Sequence, residues 1–419
     1  MITTRRAFTR LGMLMPAVSL LPWSAGAAEA PVRIGCLYPL SGSSGSSGQA
    51  SRAAIGLAVD IINDRHADLA ELPLATTAGL PGLAGRKVAA VIADHQGNPA
   101  MAQSEALRLI TQDHVAALFG CYQSSCTLTA SAVAERYGIP FLTPESSAPS
   151  LTERGFKWFF RTTPIGTDFA AAYTNFLGDV KVHGFKMQQV AVVNENTEYG
   201  TSTAAAIVPA LTAKGMKVEP QIAYNANSSD VSAQVLQLKA ANPDAVIFVS
   251  YTSDSILFMK TMHSLGYKPP VLIGDDAGFS DNAFITTVGD LAQGAIDRSS
   301  FGIGKPGSVS FVVNAMYHKM TGRDIDDNSA RAVQGFLALA EAINRAGSTV
   351  PAKIQAALRS QELKPDQLMI GYKGIKYNAQ GQNVLAATLL VQLDGAKYVP
   401  VWPEKSAAAK LVLPFKGWS

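Results

Sequence analysis

Short apolar runs rich in β-branched residues alternate with amphipathic stretches along nearly the whole chain, and this alternation limits the fold more than any single motif does. Residues 32–37, 88–93, 115–119 and 140–143 read as strands, and 49–63, 100–112 and the stretch ending at Tyr137 read as helices. Strands that are apolar almost throughout are buried on both faces. Interleaved with helices, they predict a parallel sheet in a doubly wound α/β domain, here with strand order 2-1-3-4. The rhythm then repeats, with helices over 168–180, 201–214, 231–241 and 253–265 and strands over 190–193, 217–223, 245–249 and 271–274. Two such sets predict two similar lobes. Helices over 308–320, 329–346 and 351–359 and β-rich segments over 369–377 and 384–401 must return to them.

Two stretches interrupt the rhythm. Residues 67–85, with several Pro and Gly, read as a surface insertion. Residues 41–48, Ser-Gly-Ser-Ser-Gly-Ser-Ser-Gly, have a linker's composition but stand between a strand and a helix, where open α/β sheets bind ligands. They read as a cleft-lining loop, without either glycine pattern of a phosphate loop. The third such turn, Gly120-Cys121-Tyr122-Gln123-Ser124-Ser125-Cys126-Thr127, is richer in chemistry. The first N–H groups of a helix lack partners and carry the positive end of its dipole, so a turn like this binds a carboxylate, and hydroxyls add neutral hydrogen bonds. The same residue types also serve simply as helix caps.

The N-terminus carries Thr4-Arg5-Arg6-Ala7-Phe8, then an apolar segment from Leu11 to Trp23 and small residues up to Ala28. This is a twin-arginine signal peptide over residues 1–28, too short to span a bilayer, and no cysteine near it offers a lipid-anchor site. The expectation is a periplasmic protein, not membrane-embedded. Residues 1–28 contain three arginines and no acid, so the formal net charge of +3 disappears with them. That argues against a nucleic-acid partner.

Catalytic and metal-binding patterns are missing. There is no HExxH or GxSxG, and His66, His95, His114, His183, His263 and His318 are scattered as surface or loop residues. Neither a metal nor a cofactor is expected, and the chain reads as a binding protein, not an enzyme. Cys36, Cys121 and Cys126 do not have zinc spacing. Three buried thiols, a Cys36–Cys121 disulfide and a Cys121–Cys126 disulfide all remain open.

In order, Ile34-Gly35-Cys36-Leu37-Tyr38-Pro39-Leu40-Ser41-Gly42, the helix ending at Asn63, Ile139-Pro140-Phe141-Leu142-Thr143-Pro144, Phe159-Phe160-Arg161-Thr162 and Glu198-Tyr199-Gly200 resemble the periplasmic ligand-binding proteins of branched-chain amino-acid ABC transporters. The resemblance implies a type I periplasmic fold of two lobes joined by three crossings, near 161–164, 299–304 and 370–374. Lobe 1 would hold residues 29–161 and 300–370, lobe 2 residues 162–299 and 371–403, and 404–419 would form a C-terminal tail. It implies capture of a small amino acid or related polar molecule between the lobes and its delivery to a membrane permease. A ligand sensor sharing the fold is the alternative.

Carried across residue by residue, the resemblance puts the ligand carboxylate at Ser124 and Ser125, with Ser146 and Ser147 beside them. Tyr199 lies at the second lobe's first turn, and Asp276 is the acid for a ligand ammonium. Three departures stand out. The first loop offers Ser46 or Ser47 where an aromatic is common, Glu145 replaces a small residue, and Gly120-Cys121-Tyr122 resembles the family's amide- and urea-binding branch. Ser47, Tyr122 and Glu145 therefore join the candidate ligand-binding residues, and the ligand's identity stays open among amino acids, amides, urea and aromatic acids.

Overall fold

The computed structural model describes residues 1–3, 29–275 and 277–418, so most of the signal segment and Asp276 lie outside the described residues. Five parallel strands, β1 (Val32–Tyr38), β2 (Val88–Asp94), β3 (Ala117–Gly120), β4 (Phe141–Thr143) and β5 (Phe159–Arg161), form the first sheet in the order β2-β1-β3-β4-β5. This is the expected 2-1-3-4 order with one strand added at the edge. Helices α1 (Gly45–Asn63), α2 (Pro99–Thr111), α3 (Ser124–Tyr137) and the short α4 (Ser150–Glu153) connect them. Asn98 fixes the start of α2 by accepting from the N–H groups of Ala100 and Met101.

After β5 come α5 (Gly166–Val182), β6 (Gln189–Glu195), α6 (Glu198–Ala213), β7 (Lys217–Tyr224), α7 (Ser232–Ala241), β8 (Ala245–Val249), α8 (Thr252–Ser264), β9 (Val271–Gly274), α9 (Ala277–Ser280), α10 (Asn282–Val288) and β10 (Ile296–Ser299). β7, β6, β8, β9 and β10 run parallel in a second sheet. The chain then returns to the first sheet through α11 (Val309–Thr321), α12 (Asp327–Ala346) and α13 (Pro351–Arg359). It ends in two short strands, β11 (Glu362–Leu363) and β12 (Ile375–Lys376), and in β13 (Leu389–Asp394) and β14 (Lys397–Trp402), which extend the second sheet antiparallel.

Helix α12 is buried over most of its length and packs along α1. Gly335 lets its backbone come close to the first sheet: a Cβ there would stand 2.7 Å from the Pro144 Cβ. Phe336, the next residue, meets Phe119 edge-on at 5.3 Å, a geometry that contributes about 0.5–1.5 kcal/mol beyond area burial. This contact fixes the end of β3 and the loop after β4, the two places that carry the site.

Two expectations change. The Ser-Gly stretch is not a loop throughout: Gly45 to Gly48 form the first turn of α1, because Gly48 lets the helix start against the Pro39 carbonyl, 2.0 Å from where a Cβ would sit. Residues 369–377 hold only the two residues of β12 as strand. His95 is a loop residue, as expected, but a fully buried one, and its backbone N–H donates to the Tyr38 carbonyl at 3.1 Å. The three cysteines stand as free, buried thiols.

The passages between the sheets lie side by side. Arg161, at the end of β5, donates to Gln382 Oε1 at 2.7 Å, to the Ala148 carbonyl at 2.6 Å and to Thr152 Oγ1 at 2.8 Å. The Asn383 N–H donates to the Arg161 carbonyl, and the Gly371 N–H donates to that of Ser300. Residues 375–383 thus still lie against the first sheet, and the chain reaches the second over 384–388.

Candidate functional site

A narrow cavity of about 10 Å³ lies between the carboxyl ends of the two sheets, lined by Tyr122, Ser124, Glu145, Ser146 and Ser147 from the first and by Tyr199 and Tyr251 from the second. That is room for about one water molecule, so a larger ligand enters only when the two walls part. A roomier groove, about 1140 Å³, runs under the tail beside Phe176 and Trp402. It lies away from the strand-to-helix turns at which open sheets present polar groups to ligands.

The first wall is built on the turn into α3. Gly120 has φ +107°, and a Cβ there would lie 2.3 Å from the Leu37 carbonyl, so the turn needs glycine. Helix α3 begins after Gln123 with no side-chain cap. The Ser124 hydroxyl instead accepts from the Ala148 N–H at 3.3 Å, tying the turn to the loop after β4. The side chain of the N-cap residue Gln123 therefore takes none of the first-turn N–H groups of α3. The Ser146 hydroxyl donates to the Cys121 carbonyl at 2.7 Å and pairs with Thr127 Oγ1 at 2.6 Å, so it holds the turn in shape.

Glu145 is buried, and both its oxygens accept from the Tyr38 hydroxyl, at 2.9 and 3.2 Å. Burial first, and the Glu145 charge second, push the Tyr38 phenol well above its ordinary range, so Tyr38 is a neutral donor.

The second wall differs. At the turn into α6, Glu195 already accepts from the Gly200 N–H at 2.6 Å and from the Thr197 backbone and hydroxyl, and burial raises its pKa. The positive end of α6 thus has its own carboxylate. Tyr199 donates to Asp275, which also accepts from Tyr173 and pairs with Arg298 Nε at 2.7 Å, both side chains fully buried. Arg298 stacks over Phe169 at 3.5 Å. Tyr251 completes the wall, its ring 5.2 Å from Tyr199 and 5.7 Å from Tyr122.

Residues 31–397 match the periplasmic binding protein family. The chain belongs to that family. A Leu/Ile/Val-binding protein homolog (homolog 8) from Brucella abortus is 32% identical over 92% of this chain and 94% of its own length. Two crystal structures share the fold: a leucine binding protein from Thermotoga maritima (TM-score 0.75, 20% identity, 88% of this chain and 97% of that one) and an ABC-transporter solute binding protein from Rhodopseudomonas palustris, in complex with 3,4-dihydroxybenzoic acid (TM-score 0.72, 19% identity, 87% and 94%).

In this periplasmic binding protein the sequence-derived residues fall into three groups. Tyr122, Ser124, Glu145, Ser146, Ser147 and Tyr199 line the cavity. Ser125, half-buried, and Ser47 do not. Ser47 is instead buried at the contact between the lobes, where it donates to Asp281 Oδ2 at 2.6 Å, beside Ser46 at 2.9 Å and Thr252 at 3.1 Å. Asp276 lies outside the described residues. Sequence reasoning missed Tyr251, Tyr38 and Asp281. Tyr251-Thr252-Ser253 follows β8 as Tyr122-Gln123-Ser124 follows β3, so applying the rule of strand carboxyl ends to the second lobe would have found it.

Proposed function

We propose that this protein is an extracytoplasmic solute receptor that captures a small amino acid, or a related polar molecule, between two lobes and presents it to an ABC permease. The observation that carries this is a cavity at the meeting of two sheet ends whose first wall is a helix N-terminus without a capping side chain. The ligand carboxylate binds at Ser124 and Ser125, with Tyr122, Glu145, Ser146, Ser147 and Tyr199 around it. Ser47 acts at the closing edge, and Asp276 supplies the acid for a ligand ammonium. One lobe takes residues 29–161 and 300–383 and the other 162–299 and 384–403, with 404–419 as a tail; the third passage thus lies later than the expected 370–374. The three passages between them act as the hinge, so ligand occupancy is coupled to shape. Export with removal of residues 1–28 delivers the protein to the periplasm. The names of the Brucella relatives support the amino-acid reading. The three tyrosine rings favour aromatic carboxylates as the second ligand class.

A thermal-shift screen of the ligand-stripped protein against amino acids, amides, urea and aromatic carboxylates tests this. A ligand at 100 times its dissociation constant stabilises by about 2.7 kcal/mol. Selective stabilisation by amino acids is expected. Stabilisation by amides or aromatic acids alone would move the ligand class, and no shift from any member would overturn the receptor reading.

A further inference from the structure

Two helix-capping aspartates, one from each lobe, stand close together where the lobes touch. Asp281 Oδ2 accepts from Ser46 and Ser47 of the first lobe, at 2.9 and 2.6 Å, and its Oδ1 accepts from the Ala283 N–H at the start of α10. Asp326, on the first lobe, caps α12 by accepting from the Ser329 N–H at 2.8 Å. Two further bonds hold the surrounding chain together: Asn282 Nδ2 donates to the Asp324 carbonyl at 2.9 Å, and Asn328 Nδ2 donates to Ser280 Oγ at 3.2 Å. Both aspartates are buried. Burial first, and the Asp281 charge second, push the Asp326 carboxyl up to about 7, with Asp327 adding a smaller share.

The charged groups around Asp326 are engaged with one another. Asp327 pairs with Arg331 at 2.9 Å, and Asp324 pairs with Lys397 of the second lobe and with His318, both at 3.1 Å. Asp297 and Tyr398 line a narrow groove with Asp326, and Tyr317 lies on its α11 side. Burial keeps both phenols neutral. Arg323 is exposed. Helices α1 and α8 bring hydroxyls to Asp281: Ser46, Ser47 and Thr252.

We propose that closure of the two lobes takes up one proton, which Asp326 holds opposite Asp281, so that the protein captures its ligand more tightly in mildly acidic than in mildly alkaline surroundings. The inference rests on the two-lobe receptor reading above and adds a proton to its closing step. Both oxygens of Asp281 already serve as acceptors, so the proton falls to Asp326. When the lobes part, Asp326 loses the second lobe's cover and the Asp281 charge, and returns toward an ordinary carboxylate value of about 3.9. Between about pH 4 and 7 the closed shape therefore binds a proton that the open shape does not. Closure is favoured as pH falls through that window, and two facing carboxylates oppose it as pH rises. Outside the window both shapes bind the same number of protons, and the dependence ends.

The test is small-angle X-ray scattering of the full-length mature protein, ligand-free, from pH 5.5 to 8, beside Asp326→Asn and Asp281→Asn. Asparagine also caps helices, so both variants keep the starts of α12 and α10. The closed-to-open ratio of the native protein should be about tenfold or more higher at pH 5.5 than at pH 8, read as a smaller radius of gyration. Asp326→Asn should hold one radius across the range, and Asp281→Asn should move the native transition to lower pH. Any contribution of His318 is common to all three proteins. Circular dichroism and thermal melting check that the variants are folded, and if Asp326→Asn does not fold, Asp281→Asn decides. A native radius that does not change with pH, a change of the same size in folded Asp326→Asn, or an unmoved transition in folded Asp281→Asn would overturn the proposal. The radius is also followed with each member of the thermal-shift panel at both ends of the range. A radius that answers to ligand but not to pH removes the proton alone, and one that answers to neither removes closure as well.

Discussion

At the scale of single residues, the roles proposed for Ser124 and Ser125 let the chemistry of binding be separated from that of folding. In the proposed site their hydroxyls would add neutral hydrogen bonds to a ligand carboxylate, at a helix start where the N-cap side chain makes no capping bond, and each such bond contributes about 0.5–1.5 kcal/mol. Replacing both by Ala should weaken binding of a carboxylate ligand such as leucine by about tenfold or more, measured by calorimetry. Thermal stability should fall only by what the Ser124 bond to the Ala148 N–H contributes, about 1 kcal/mol. Unchanged affinity would remove these hydroxyls from the site. Ser124 was legible in the sequence because a hydroxyl-rich turn between an apolar run and a helix has few physical roles. Tyr38 was not, because a tyrosine ending a buried strand looks like core until the loop after β4 brings Glu145 to its hydroxyl.

At the scale of elements, the loop joining β2 to α2 shows how packing overrides residue type. His95 sits in that loop, accepts from the Gly97 N–H at 3.1 Å on Nδ1, and is fully buried, which lowers its pKa to about 4. Between pH 6.5 and 4 the unfolded chain binds a proton at this imidazole and the native chain does not, so stability is lost as pH falls through that window. The slope is at most about 1.4 kcal/mol per pH unit. Asp254, raised to about 6 mainly by burial, acts in the opposite sense: from about pH 4 to 6 the native state binds more protons, and stability falls as pH rises. The His95 contribution must therefore be read as a difference. Urea midpoints of the native protein and of His95→Gln should diverge less at pH 4.5 than at pH 7, because the variant lacks the acid-linked loss. Parallel midpoints would show that His95 titrates normally.

For the whole molecule, one of the contacts between the lobes is a small polar cluster. Asp281, at the start of α10, accepts from Ser46 and Ser47 at the start of α1 with Oδ2, while its other oxygen caps α10 through the Ala283 N–H at 2.7 Å. Ser46→Ala with Ser47→Ala removes the bridge and leaves the cap intact. Each hydrogen bond to a charged group contributes about 1.5–3 kcal/mol, so the double variant should shift the protein toward an open shape. Small-angle X-ray scattering of the ligand-free variant should give a larger radius of gyration than the native protein, with ligand restoring the compact value. An unchanged radius would show that these serines do not hold closure.

The sequence alone determined the alternation of strands and helices, the strand order of the first sheet and the turn that carries Ser124, because periodicity and helix-end chemistry act over a few residues. Only the tertiary structure decided what meets across the cleft: Asp281 against Ser46 and Ser47, Tyr251 against Tyr122, and Tyr38 against Glu145, partners 107 or more residues apart in chain. Local pattern can say that a residue sits at the end of a strand. Which residue it faces there depends on how two separately built sheets are brought together, and that is settled by packing through α12 and by three adjacent passages of chain, not by spacing along it.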